Sequence, residues 1–423
     1  MRCICYPVIG GLAALAASTL LAGCVGVGPV VIAGGEAPLD LAAFAPTIES
    51  IAGAPPTTGN DVTIVASGPE TFSRLLALLQ SARRSIEIET YLFHDDATGR
   101  RVAQVLARKA EDGVSVRLLV DAVGSRGWRS SLARAMRASG VRVCRFNPLR
   151  PWRPGQVSHR MHRKIIVVDG RVAMTGGFGI ADLWAGSGTS PPRHRDLQVV
   201  VQGPIVAALA RGFREDWFFY AGEVIPVGGA RQHRPAASGA SACQVVLSTP
   251  RSGRSHSQAA FLLLLAGASR SFWMEVGYFT PDPQSLAAIL AAARRGVDIR
   301  FVVSSPANCV VCGPAHAGRR VYPELLDAGV AIYEYEAAAL HAKFGVVDRT
   351  IATVGSTNLD ARSFGGNDEA NIFIQGDEVV GQLEAILVAD MGKSRRIDRR
   401  WFADRPFRAR LTEWLFGLVA GAL

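Results

Sequence analysis

The sequence predicts an α/β protein made of two similar halves, each a mixed sheet sandwiched by helices, related by a pseudo-twofold. Three observations carry this. "HRKIIVVDGRVAMTGGFG", starting at His162, and "HAKFGVVDRTIATVGSTN", starting at His341, share one register: His162 and His341, Lys164 and Lys343, Asp169 and Asp348, and Gly176 and Gly355 all lie 179 apart. A repeat of that length is a duplicated half. Upstream blocks recur as well: "ARRSIEIETYLFHDD" matches "ASRSFWMEVGYFTPD" at an offset of 186, and "GVSVRLLV" matches "GVDIRFVV" at 183. Offsets that fall in steps mark loops of different length within one architecture. The third observation is the alternation of strand-like and helix-like stretches, which argues for layered α/β domains.

The elements follow in order. "DVTIVAS" reads as a strand and "PETFSRLLALLQSA" as a helix, with Phe72, Leu75, Leu76 and Leu79 at helical spacing. Next come a strand (85–93), a helix (99–111), a strand (114–120), a helix (130–139), a strand near Val141, and the strand that follows His162. Ile165 to Val168 form an apolar run of buried-strand length, and period-2 alternation sets His162 and Lys164 on one face. "LQVVVQGP" and the helix "IVAALARGFREDWFFYAGE" close the first half. The Gly-, Ala- and Ser-rich "PVGGARQHRPAASGASAC" reads as a linker, and the second half repeats a similar order. The expected divisions are 1–23 leader, 24–60 Gly/Ala/Pro-rich tether, 61–226 first lobe, 227–243 linker and 244–423 second lobe with its tail.

An imidazole and an ammonium side by side on a buried face need a chemical reason, and lysine usage sharpens the point. Among 46 Lys+Arg the chain has only four lysines: Lys109, Lys164, Lys343 and Lys393. Arginine is the default base here, so a retained lysine marks a site that wants a compact charge with rotatable donors.

The doubled HxKxxxxD, each copy followed by a Gly-Gly or Gly-Ser turn, resembles the paired HKD motif of the phospholipase D superfamily. The wider pattern, with "YLFHDDATGRRVAQVLARKAEDGVSVRLLVD", "REDWFFYAGE" and "GSTNLDARSFGGNDEANI", is similar to bacterial cardiolipin synthases over roughly 60–423. One HxK alone would be weak evidence; two complete copies in register with their flanks are strong. The resemblance implies two phospholipase D-like lobes meeting at a His162/His341 cleft, with His162 as nucleophile, His341 as acid, and these roles exchangeable by symmetry. Lys164 and Lys343 would hold the phosphoryl oxygens, aided by Asn358. Asp169 and Asp348 are counted with the catalytic set, with a turn-holding role as their alternative. Glu369 in "NDEAN" and Asp196 in "HRDLQ", each a suitable distance after one copy, are expected to orient the imidazoles. Gly179 stands where the second copy has Asn358, which removes one phosphate donor unless water or His194 replaces it. His94, His159, His233, His256 and His316 lack motif partners. No metal or other cofactor is implied by the mechanism or by ligand spacing.

Such a site needs only a nucleophile, an acid and positive groups around phosphate. The expected reaction is phosphatidyl transfer from phosphatidylglycerol; hydrolysis to phosphatidic acid uses the same residues. A nuclease and a non-catalytic lipid-binding lipoprotein stay open as further alternatives. The formal charge of +10 favours anionic partners without choosing between phospholipid and nucleic acid. The start of the chain and the wider resemblance weigh against a nuclease: Arg2, an apolar run and small residues have signal-peptide form, and "LAGC" resembles a bacterial lipobox ending at Cys24. A lipoprotein facing the periplasm, with the outer membrane suggested by Val25, is the expected location; a plain signal or an uncleaved anchor is the alternative. "CVVC" (309–312) reads as a loop disulfide or two inert thiols, because no second CxxC completes a zinc site. Lys393–Arg410 carries eight basic and two acidic residues ahead of the apolar "LTEWLFGLVAGAL". That tail suits a membrane interface or a terminal helix packed on the body.

Overall fold

The computed structural model describes residues 27–32, 39–149, 158–227, 237, 239–250 and 253–418. The leader and Cys24 lie outside the described residues. So does most of the expected linker.

The first half supplies strands β1 (Thr57–Val65), β2 (Ser85–Thr90), β3 (Ser115–Asp121), β4 (Arg142–Phe146), β5 (Lys164–Val168), β6 (Val172–Gly176) and β7 (Gln198–Gln202). The second supplies β8 (Ser241–Ser248), β9 (Ser271–Val276), β10 (Asp298–Ser304), β11 (Ala331–Tyr335), β12 (Lys343–Val347), β13 (Ile351–Gly355), β14 (Asn367–Gln375) and β15 (Ser394–Ile397). They join into one sheet, ordered β15-β11-β10-β9-β12-β13-β14-β8-β1-β7-β6-β5-β2-β3-β4. Read outward from the β8–β1 junction, the two halves have the same order, apart from β15 at one edge. The directions repeat too: β2 is parallel to β3 and antiparallel to β5, and β9 is parallel to β10 and antiparallel to β12. This is the predicted duplication.

Helices cover both faces, which is why the central strands read as continuous apolar runs rather than alternating ones. All five residues of β5 and of β12 are buried. The helices start where local chemistry dictates. Asp96 caps Ala97–Glu111 by accepting from Gly99 N at 2.9 Å, and Asp282 caps Pro283–Arg294 through Gln284 N and Ser285 N.

One sequence expectation is corrected, and two open alternatives are resolved. The described parts of the tether, 27–32 and 39–60, are built into the body instead of spanning a gap. Phe44 and Ile48, one turn apart on the helix Phe44–Ala52, are buried in the second lobe's core, and Phe44 packs on Phe373 at 4.9 Å between centroids. Gly/Ala/Pro content concealed that short apolar face. β1 then pairs antiparallel with β7 on one side and β8 on the other, so it stitches the lobes. The terminal helix Phe407–Gly417 packs on the helix Cys312–Gly318, with Glu413 and Gly417 buried and Phe416 stacked on His316 at 5.6 Å. Only one of its faces is covered. Cys309 and Cys312 form a disulfide just ahead of the supporting helix.

Candidate active site

The site forms where two short parallel pairings cross between the lobes. Ala339–Leu340 pairs with His194–Arg195, and Arg160–Met161 pairs with Asn367–Asp368. Each pairing continues one residue further: His341 N donates to Arg195 O and His162 N to Asp368 O, both at 2.8 Å. The backbone of each HxK strand is therefore clamped beside the other lobe's acidic residue.

The side chains follow. His162 Nδ1 lies 3.0 and 3.1 Å from the two carboxyl oxygens of Glu369, and His341 Nδ1 lies 2.7 Å from Asp196 Oδ2. Each predicted carboxylate thus serves the histidine of the opposite copy. The two rings meet edge to face at 6.5 Å between centroids. Lys164 and Lys343, both buried, hold their ammonium groups against His162 O and His341 O respectively. With Nδ1 engaged on both rings, Nε2 is the nitrogen left for chemistry.

Electrostatics separates the two dyads. Burial, then the charges of Lys164 and Lys343, pushes the His162 pKa well below the ordinary imidazole value; burial and Lys343 do the same to His341. Burial also lowers Lys164 to about 7 and Lys343 to about 8. Glu369 is pushed up to about 7 by burial, against the pull of Lys164 and the Ser356 hydroxyl. Asp196 goes the other way: although burial opposes it, the neighbouring His341 and Lys343 hold its carboxyl below the usual range. Trp184 Nε1 adds a 2.8 Å bond to the same oxygen that meets His341.

Asp169 and Asp348 do not join this cluster, which corrects their place among the catalytic residues. Each sits at the far end of its strand, seven residues from its histidine, or roughly 20 Å of extended chain. Asp169 accepts from the amides of Arg83, Arg84 and Ser85, and Asp348 from those of Ser269, Arg270 and Ser271, all at 2.7–2.9 Å. Both have positive φ, 54° and 50°. They pin the turn at the far end of each strand.

Asn358 is buried, and its Oδ1 accepts from Tyr278 N at 3.3 Å, beside the His341 ring. In the first copy, a Cβ on Gly179 would come within 2.9 Å of Trp184 Cζ3. The missing asparagine makes room for the indole that supports Asp196. His194 packs edge-on against Trp184 at 4.7 Å and lies 6.4 Å from His341; its Nδ1 is buried with no partner among the described residues.

Several contributors escaped the sequence reading. Tyr91 and Tyr278 flank the cleft, with Lys164 Nζ 5.7 Å from one ring and Lys343 Nζ 5.9 Å from the other. Their offset of 187 differs by one from the 186 of their block, a small shift that hid the equivalence. Glu89 and Glu275, the pair by which those blocks align, are fully buried beneath the site with carboxyls pushed up, chiefly by desolvation. Buried ion pairs stand beside them, Arg163 with Asp216 at 2.9 Å and Arg195 with Asp390 at 2.6 Å. Groups of acidic, Cys or His side chains fit to hold a metal are absent among the described residues.

Fold and site together define an enzyme of the phospholipase D superfamily. The family described as "Cardiolipin synthase, PLD-like domain" matches residues 75–217 and 262–391. The chain is 34% identical over 372 residues to the cardiolipin synthase of Geobacillus kaustophilus, covering 87% of this chain and 74% of that protein. It is also 34% identical over 364 residues to that of Alkalihalophilus pseudofirmus, covering 85% and 71%. Among solved structures, phosphatidylserine synthase from Haemophilus influenzae superposes with a TM-score of 0.65 at 13% identity, over 85% of this chain and 92% of that one, a likeness of fold. The chain belongs to the cardiolipin synthase family of phospholipase D-like proteins.

Proposed function

We propose that this protein is a phosphatidyltransferase that converts two molecules of phosphatidylglycerol into cardiolipin and glycerol. The carrying observation is the reciprocal bracing of His162 by Glu369 and of His341 by Asp196 across one cleft. His162 Nε2 attacks phosphorus; the bond to the glycerol head group breaks, and the departing oxygen takes a proton from His341. A phosphatidyl-histidine remains. His341 then deprotonates a glycerol hydroxyl of the second phosphatidylglycerol, whose oxygen displaces the histidine and restores it.

The division of roles rests on the carboxylates. An ionised Asp196 stabilises the imidazolium from which an acid must donate, whereas Glu369, near 7, suits a histidine that attacks in the neutral form. The phosphodiester anion entering between Lys164 and Lys343 offsets the repulsion that, added to burial, lowers both imidazoles. Asn358 serves as a further donor, while Asp169 and Asp348 preserve the strands that carry the pair. The substrate class is an anionic phospholipid met at a membrane surface, with no nucleic acid and no cofactor required. The two catalytic lobes open with β1 (Thr57–Val65) and β8 (Ser241–Ser248), a few residues ahead of the expected starts at 61 and 244.

Among the described residues no helix is long and apolar enough to cross a membrane. Attachment is assigned to the lipobox: acylation at Cys24 would place the enzyme in the cell envelope facing the periplasm, with outer-membrane sorting. Labelled palmitate incorporated into the wild type but not into Cys24→Ala checks this.

Mass spectrometry of products from phosphatidylglycerol vesicles tests the reaction. Cardiolipin and glycerol in equal amounts, lost in both His162→Ala and His341→Ala, are the expected result. Phosphatidic acid and glycerol with no cardiolipin would assign water as acceptor, and turnover that survives either substitution would remove the two-histidine mechanism.

A further inference from the structure

The helix Phe407–Gly417 exposes a row of large apolar side chains that its packing does not explain. Phe407 is 74% exposed, Leu411 43%, Trp414 60% and the following Leu418 61%. The spacing is i, i+4, i+7 and i+11, which at 3.6 residues per turn gathers all four within about 60° of arc. The covered side lies opposite. There Glu413 receives Arg319 at 3.0 Å and Arg405 at 2.7 Å, and Arg320 donates to Gly417 O at 3.1 Å. The apolar row is therefore held outward by a buried ionic anchor. Arg408 and Arg410 flank it on either side, exposed and without an ion-pair partner among the described residues.

The helix also has a defined relation to the site. It packs on Cys312–Gly318, which packs on Phe279–Thr280; that strand pairs with Leu359–Asp360, directly after Asn358. In the first lobe, Phe218 and Phe219 are exposed on Val206–Ala221, whose Asp216 binds Arg163 next to His162. Each lobe thus carries exposed apolar side chains on an element linked through packing to the site.

We propose that the helix Phe407–Gly417 docks the catalytic cleft onto an anionic phospholipid surface, its apolar row entering the acyl boundary and Arg408 and Arg410 meeting phosphate head groups. An apolar stripe between cations is the pattern that lies in a lipid interface, and the positive flanks select the anionic surface. The proposal rests on the lipid-substrate reading above for its choice of occupant.

The test needs no turnover, so its failure is distinguishable from failure of that reading. The full chain and Trp414→Phe are reconstituted with vesicles of phosphatidylglycerol brominated in the upper acyl chain, and tryptophan quenching is compared. The wild type should show a quenched component that Trp414→Phe lacks. In an Arg408→Gln/Arg410→Gln variant that component should need about tenfold more anionic lipid to appear. Equal fractional quenching in wild type and Trp414→Phe overturns the proposal. So does a wild-type dimer by light scattering that Leu411→Glu splits while lipid quenching at Trp414 is absent, since the row would then cover a second copy.

Discussion

The two histidines are chemically alike and electrostatically different, and the difference lies in one carboxylate each. Asp196 is held ionised by His341 and Lys343 despite its burial, whereas Glu369 is raised by burial to about 7. Removing charge at Asp196 should therefore cost more than removing it at Glu369. Asp196→Asn is expected to lower kcat by roughly 10²- to 10⁴-fold, the range for a positioned acid–base partner, with Glu369→Gln costing less. Equal losses in cardiolipin formation would contradict the asymmetry. The lysines set a pH signature. An amine is cationic below its pKa, and in the free enzyme those values are about 7 for Lys164 and about 8 for Lys343. Capture of the phosphodiester should weaken as pH rises through that window. kcat/KM, which reports the free enzyme, should fall between pH 7 and 8 while kcat holds to higher pH, because bound phosphate restores the ammonium charge. A flat kcat/KM up to pH 9 would exclude this role.

At the scale of the element, the HxK strands are fixed at both ends. One end is clamped by the crossed pairings that bring His341 N to Arg195 O and His162 N to Asp368 O. The other is pinned by Asp169 or Asp348, each gathering three backbone amides. Asp348→Asn keeps the shape and loses the charge-assisted bonds. It is expected to cost about 1.5–3 kcal/mol of stability in urea unfolding, with kcat of the folded fraction nearly unchanged. A large fall in kcat at full stability would return Asp348 to the catalytic set. Gly179 belongs here as well: its lack of a side chain is what lets Trp184 support Asp196.

At the scale of the molecule, the lobes are not separable beads. The sheet runs unbroken through β8 and β1, the N-terminal helix Phe44–Ala52 sits in the second lobe's core, and each histidine takes its carboxylate from across the cleft. Such coupling predicts one cooperative calorimetric transition whose van't Hoff and calorimetric enthalpies agree. Two resolved transitions would show that the junction is weaker than its pairing implies.

The sequence by itself determined the duplication, the α/β class, the paired histidines and lysines, and the identity of both orienting carboxylates, because these leave a repeat in register and a spacing that survives loop changes. It placed most strands and helices of the first half to within a few residues, since period 2 and period 3.6 are local properties of the chain, but left β6 unassigned. It did not reveal that Asp196 serves His341 and Glu369 serves His162, or that residues 44–52 belong to the far lobe. Those facts depend on contacts between distant segments. Contacts between residues separated by more than a hundred positions write no period into the sequence, and only the folded sheet brings them within hydrogen-bond reach.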